Sequence, residues 1–182
     1  IAILLKIIFL PKLKVIIRES NTISVKAKDN LNIKTFILNF MVKHLYNHAD
    51  HIVAPTYIIK NDLINNYEIK KNKIRVIVNP YDFKEIYLKS NEVIKKDEKK
   101  LFKEPFILSV GRLNPQKNYE YLINIFRFVA NNKKFKNFKL YILGEGREKQ
   151  KLKELIHKLG LNNHIYLLGF QKNPFKFMKK CK

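Results

Sequence analysis

The chain has 182 residues, 46% of them hydrophobic and 12% aromatic, with a formal net charge of +22. That apolar content excludes a disordered chain, and the length suits one or two domains. The single cysteine, Cys181, excludes an intrachain disulfide or a cysteine metal site and fits a reducing, cytoplasmic location. An excess of 37 Lys and Arg over 15 Asp and Glu points to anionic partners: nucleic acid, acidic lipid headgroups or phosphorylated small molecules. It also fits a compositional bias toward Lys, Ile and Asn with no selected partner. Residues 1–10 are apolar but broken by Lys6 and closed by Pro11, too short for the roughly 20 residues that span a bilayer. The run reads as a buried helix, in a piece that starts inside a domain.

Leu13 to Ile17 reads as a buried strand, ending in the polar cluster from Arg18 to Thr22. Leu31 to Ala49 has the spacing of a long amphipathic helix, with Phe36, Phe40 and Leu45 among its apolar positions. His51 to Ala54 is a short strand. Thr56 then caps a helix reaching about Tyr67. Ile74 to Val78 is a β-branched strand stopped by Asn79 and Pro80. Strand, helix, strand, helix, strand argues for a parallel sheet. Residues 89–104 change character: a mixed-charge run around Lys95, Lys96, Asp97 and Glu98 reads as an exposed linker. The expected organisation is a first domain over 1–88, a linker over 89–104 and a second domain over 105–182.

The second alternation begins with the strand Phe106 to Val110, stopped by Gly111. A loop with Arg112, Asn114, Pro115 and Lys117 follows. Asn118 then opens a helix with Leu122, Ile125, Phe126 and Val129 at helical spacing. Phe138 to Leu143 is the next strand, followed by Gly144, Glu145 and Gly146. A helix from Arg147 to Leu159 ends at Gly160. Ile165 to Leu168 is a third strand ending at Gly169 and Phe170, and Asn173-Pro174 opens a last basic helix.

Arg112 and Lys117 lie off the end of a parallel strand and before a helix N-terminus. Open α/β sheets bind ligands at that edge, and helix N-termini favour anions. Two cations in a Lys-rich chain are equally a solvated surface. Gly144 to Gly146 occupies the matching place after the next strand: either a tight turn or a shelf where a ligand meets backbone amides. Glu145 there either accepts from ligand hydroxyls or sits in water. His44 and His48 are one helical turn apart, with His51 near in sequence, but no Glu, Asp or Cys completes a metal set. No Ser/His/Asp arrangement can be built from spacing. No helix-turn-helix, zinc finger or ribonucleoprotein motif is present, so a specific nucleic-acid partner is not expected.

Val110-Gly111-Arg112-Leu113 with Pro115-Gln116-Lys117-Asn118, then Leu143 to Gly146, then Gly160-Leu161 with Ile165 and Leu167 to Phe170, resemble the family 4 retaining glycosyltransferases. Upstream, Ala49 to Ala54, Asn61-Asp62-Leu63 and Ile77 to Asp82 match in the same order. The resemblance covers about residues 14–182. It implies an α/β chain of two Rossmann-like parallel-sheet domains of the GT-B type, both incomplete here. It further implies transfer of a sugar from a nucleotide-sugar, UDP-linked, to a glycan or lipid-linked acceptor, with retention. The setting it implies is bacterial surface polysaccharide or lipopolysaccharide synthesis.

By the same resemblance Arg112 and Lys117 are catalytic: they hold the donor pyrophosphate and stabilise the leaving phosphate. Gly111, Gly144, Glu145, Gly146, Gly169 and Phe170 form the donor site, the last two around the base. Glu19 and Ser20 stand where many members carry a His and are the acceptor-side candidates. The nucleotide-sugar is a substrate, and neither cofactor nor metal is expected. Basic first-domain surfaces in such enzymes imply peripheral contact with anionic membrane at the inner face of the cytoplasmic membrane. The family's paired glutamates and its first glycine-rich loop are not within residues 1–182, so this segment alone is expected to be inactive. The competing readings are a non-catalytic remnant that binds nucleotide or anionic membrane, and a nonspecific nucleic-acid binder resting on charge alone.

Overall fold

The computed structural model describes residues 1–182 except Asn30, Leu31, Lys95 and Asp97, and it gives no side-chain detail for Lys26, Lys28 and Asp29. The chain forms two compact units, Ile1–Tyr81 and Asp82–Lys182. Each contains a three-stranded parallel sheet with strands in sequence order, β1-β2-β3 and β4-β5-β6. These are the two Rossmann-like sheets that the resemblance implied.

In the first unit α1 (Ala2–Ile8) precedes β1 (Ile16–Arg18), α2 (Ile23–Asp29) and α3 (Ile33–Leu45). β2 (His51–Ala54), α4 (Tyr57–Tyr67) and β3 (Ile74–Val76) complete it. The core gathers Val42, Ile52, Leu63, Tyr67 and Ile74 from helices and strands alike. Each such side chain contributes roughly 1.5–3 kcal/mol on burial. Thr56 caps α4 as expected, its hydroxyl accepting from Ile59 N–H at 3.2 Å. Several expectations change: β1 starts at Ile16, not Leu13, with Ile16 exposed, and β3 ends at Val76 with Ile77 and Val78 exposed. α1 is helical but buries only Ile3, while Leu4, Leu5, Ile7 and Ile8 are exposed, because a seven-residue helix meets the core along one line. α3 starts at Ile33, capped by the Asn32 side chain, and its Phe36 and Phe40 are exposed; the expected start at Leu31 lies outside the described residues. α2 was not expected at all. It is held by buried Asp62 of α4, whose carboxylate accepts from Ser24 N–H, Ser24 Oγ–H and Asn66 Nδ2.

The second unit runs α5 (Phe83–Ser90), β4 (Phe106–Val110), α6 (Tyr119–Asn131), β5 (Lys139–Leu143), α7 (Lys149–Lys158), β6 (Ile165–Gly169) and α8 (Phe175–Met178). β5 is the central strand, and its near-continuous apolar run, buried from Leu140 to Leu143, is what burial on both faces requires. α6 turns the expected face inward in the main: Phe126 is buried and Leu122 and Val129 pack on the core, but Ile125 points away and the centre of the face lies on Ile123. Tyr119, Ile123, Phe126 and Ala130 are buried, and Ile125 is 43% exposed. The contact division falls after Tyr81, ahead of the charged stretch expected as a linker. Much of that stretch packs on the second unit. Asn173 Nδ2 donates to the Lys89 carbonyl at 2.8 Å, Glu98 pairs with Lys176, and the Phe102 ring lies 5.3 Å from that of Phe177. Lys95 and Asp97 of the run lie outside the described residues.

Candidate functional site

In the second unit the C-terminal ends of β4, β5 and β6 are joined edge to edge by backbone hydrogen bonds. Gly111 N–H donates to the Leu143 carbonyl at 2.9 Å, and Gly144 N–H to the Gly169 carbonyl at 2.8 Å. The Arg112 loop is then pinned to the glycine turn. Leu113 N–H donates to the Glu145 carbonyl at 2.9 Å, and the Leu113 carbonyl accepts from Glu148 N–H at 3.1 Å. Leu113 itself is fully buried, so it anchors a loop whose neighbour, Arg112, is exposed.

The glycines have specific causes. A Cβ on Gly144 would lie 1.9 Å from the Gly111 carbonyl oxygen, and one on Gly146 would lie 2.2 Å from the Leu113 carbonyl oxygen. Their missing side chains are thus taken up first by the neighbouring loop, and only the outer surface of the turn is left for a ligand. Gly111 differs: its absent Cβ faces the Tyr119 hydroxyl at 2.9 Å and Lys117 Cε at 3.3 Å. The Lys117 side chain therefore lies against Gly111, at the end of β4.

A single 3-10 turn, Pro115–Lys117, makes that placement, and Asn118 follows in the left-handed region at φ +48°. Asn tolerates that conformation better than most residues. Glu145 is an ion-pair partner, its Oε1 2.7 Å from Lys149 Nζ, and the same oxygen would meet a Cβ on Gly169 at 2.9 Å. Phe170 is 75% exposed beyond the end of β6. The structure thus gathers Gly111, Arg112, Lys117, Gly144, Glu145, Gly146, Gly169 and Phe170 along one sheet edge. Sequence reasoning missed Lys149 and Tyr119. Lys149 is signalled by its four-residue spacing from Glu145, whereas Tyr119 carries no such signal.

In the first unit, Glu19 N–H continues the sheet by donating to the Val53 carbonyl at 3.0 Å. Its carboxylate accepts from Asn21 N–H and from the Tyr46 hydroxyl at 3.1 Å. Burial, and then the adjacent Glu19 charge, push the Tyr46 hydroxyl well above its ordinary pKa, so it stays a donor. Ser20 is exposed. Arg18 donates to Asn79 Oδ1 at 2.6 Å, a link across the strand ends that spacing did not suggest. Among the described residues, no group of three His, Cys, Asp or Glu side chains gathers, and the His44 ring instead lies 4.3 Å from that of Phe40.

Residues 90–182 match the model for glycosyl transferases group 1, and residues 20–85 match that for glycosyltransferase family 4. The chain belongs to the group 1 glycosyl transferases. A curated relative from Methanocaldococcus jannaschii, an uncharacterized glycosyltransferase, is 41% identical over 153 residues, 84% of this chain and 37% of its own length. The N-acetylgalactosamine-N,N'-diacetylbacillosaminyl-diphospho-undecaprenol 4-alpha-N-acetylgalactosaminyltransferase of Campylobacter jejuni is 36% identical over 170 residues, 93% of this chain and 43% of its own length. Among solved structures, HepE of Anabaena, in complex with UDP and glucose, superposes with a TM-score of 0.71 at 20% identity. It covers 95% of this chain and 46% of its own. The chain thus spans less than half the length of these relatives, and its two sheets are those of the GT-B fold.

Proposed function

We propose that the protein carrying this chain transfers a sugar from a UDP-linked donor to a glycan or lipid-linked acceptor, with retention, in surface polysaccharide or lipopolysaccharide synthesis. The observation that carries this reading is the sheet edge itself: the Arg112–Lys117 loop pinned to the Gly144–Gly146 turn. Two cations and a turn with free outer surface suit one diphosphate. The Campylobacter relative, named for a diphospho-undecaprenol acceptor, supports a lipid-linked acceptor, and the UDP held by HepE supports the donor. An acceptor of that kind keeps the enzyme against a membrane, so peripheral contact with an anionic leaflet belongs to the proposal.

As the sugar–phosphate bond breaks, negative charge grows on the leaving diphosphate. Arg112 offers a planar fork to two oxygens and Lys117 a point charge, on a loop whose backbone is hydrogen-bonded in place before reaction. These cations supply the charge that a metal supplies elsewhere, so metal-independent turnover is part of the proposal. The test pairs calorimetric UDP binding to residues 1–182 with sugar transfer by the gene product that contains them. Lys117→Ala should lower turnover by roughly two to three orders of magnitude, as loss of one preorganised donor does. Arg112→Lys should weaken both readouts, and EDTA should leave turnover unchanged. Melting temperatures should hold, since exposed loop substitutions usually cost within about 0.5 kcal/mol. Unaltered transfer in both variants would sink the assignment. UDP binding without transfer by the gene product would favour a non-catalytic binder.

A further inference from the structure

α6 carries two apolar stripes where a helix on a sheet needs one. Tyr119, Ile123, Phe126 and Ala130 fill the second core. On the opposite side Tyr121, Ile125 and Phe128, spaced by four and three residues, are 64%, 43% and 71% exposed. That spacing aligns them along one line of the helix. They belong to neither hydrophobic core.

The surroundings of this stripe are cationic. The Arg127 guanidinium lies 5.9 Å from the centre of the Phe128 ring. The turn after α6 exposes Lys133, Lys134 and Lys136, with Lys134 Nζ 5.6 Å from the ring of half-exposed Phe135. From Tyr119 to Phe138 the only carboxylate is Glu120, and Lys151 of α7 pairs with it at 2.6 Å. Aromatic and aliphatic side chains on one helical line, bordered by exposed cations, match the headgroup layer of an anionic bilayer. Rings insert there, and lysines meet lipid phosphates. A second copy fits poorly, because a two-fold contact would set like charges face to face.

We propose that the outer face of α6, together with the turn 133–136, docks on an anionic lipid surface. This rests on the membrane contact proposed above and gives it a named surface in the second unit; it does not depend on the transfer chemistry.

The chain contains no Trp, so Phe128→Trp makes a lone fluorescent reporter on the stripe. Tyr121→Trp makes a second, and Asn162→Trp, in the exposed turn before β6, a control. With phosphatidylcholine vesicles containing phosphatidylglycerol, emission from the two stripe reporters should shift to the blue, and the control should not move. Pure phosphatidylcholine should give no shift. Reversing Lys133, Lys134 and Lys136 to Glu should weaken vesicle binding by at least roughly a hundredfold, at about 1 kcal/mol per basic residue. Cosedimentation with both stripe reporters unshifted would overturn this surface while leaving membrane contact standing. No cosedimentation would overturn both. A shift growing with protein concentration in the absence of vesicles would identify self-association, and an equal shift with duplex DNA would identify a general polyanion surface; either would overturn the proposal.

Discussion

At Gly144 the backbone φ is +144°, and the nearest atom to a side chain there would be backbone, the Gly111 carbonyl oxygen at 1.9 Å. Nothing flexible can move aside. Gly160, at the end of α7, also has positive φ, +68°, but an added Cβ would meet nothing within 4 Å. The two positions therefore separate conformational strain from lost space. Gly160→Ala should cost about 1–2 kcal/mol, the penalty of a left-handed residue. Gly144→Ala should cost about 3 kcal/mol or more, because it adds a loop–loop collision to the strain. It should also weaken UDP binding, since the Arg112 loop is positioned through that contact. Denaturant unfolding of both variants checks this. Equal losses at the two glycines would show that the loops are not packed as described.

Among the elements, those with a strong local signal were legible in the sequence. β2 and β4 fall where their apolar runs end, and Thr56 and Gly160 bound their helices as capping chemistry dictates. α2 was not legible, because its short apolar content gives little signal and its polar anchor is a carboxylate 38 residues away, Asp62. On α6 only Ile125 was misplaced, because the helix bears a second apolar stripe and only packing assigns a residue to one stripe or the other. The edge carrying Arg112, Lys117 and the glycines was legible; the pinning of one loop to the other was not. A similar long-range tie fixes α1. Asp50, just before β2, accepts from Lys6 Nζ at 2.5 Å and Val15 N–H at 2.7 Å, with Lys14 Nζ 3.6 Å away. The Lys6 hydrogen bond, then the Val15 amide, hold its carboxyl well below the ordinary value of 3.8. A depressed pKa gives stability that is full above the unfolded value and lost as pH falls through the folded one. Asp50→Asn should therefore melt below wild type at neutral pH, with the gap closing as the solution is acidified below 3.8. Melts from neutral pH down to pH ~2 test this; a gap of constant size would remove Asp50 as the cause.

For the molecule as a whole, the question is where one unit stops and the next begins. Composition put the break in the charged run at 89–104, because mixed charge usually means solvent. Here several of those polar groups are engaged within the second unit. Lys176 is 8% exposed, and its Nζ lies 2.5 and 2.6 Å from the two Glu98 oxygens. The Tyr141 hydroxyl donates to the Leu101 carbonyl at 2.9 Å, and burial, then Tyr166 and Glu104, push its pKa up to about 12. The Phe102 ring lies 5.7 Å from Phe106 and 5.3 Å from Phe177. Lys89, Glu98, Leu101 and Phe102 thus pack on the sheet domain, and Glu98 neutralises a cation there. A fragment of residues 82–182 should therefore fold alone with one cooperative transition. A fragment of residues 105–182 should melt far lower or not cooperatively, since removing one partner of a buried ion pair costs about 3–5 kcal/mol even before the aromatic contacts are counted. Glu98→Gln in the longer fragment should fall between them, as it keeps the packing and removes the charge. Circular dichroism melts of the three proteins decide the matter. If residues 105–182 melt at the temperature of the longer fragment, the charged run is a linker after all, and the boundary belongs after Glu104.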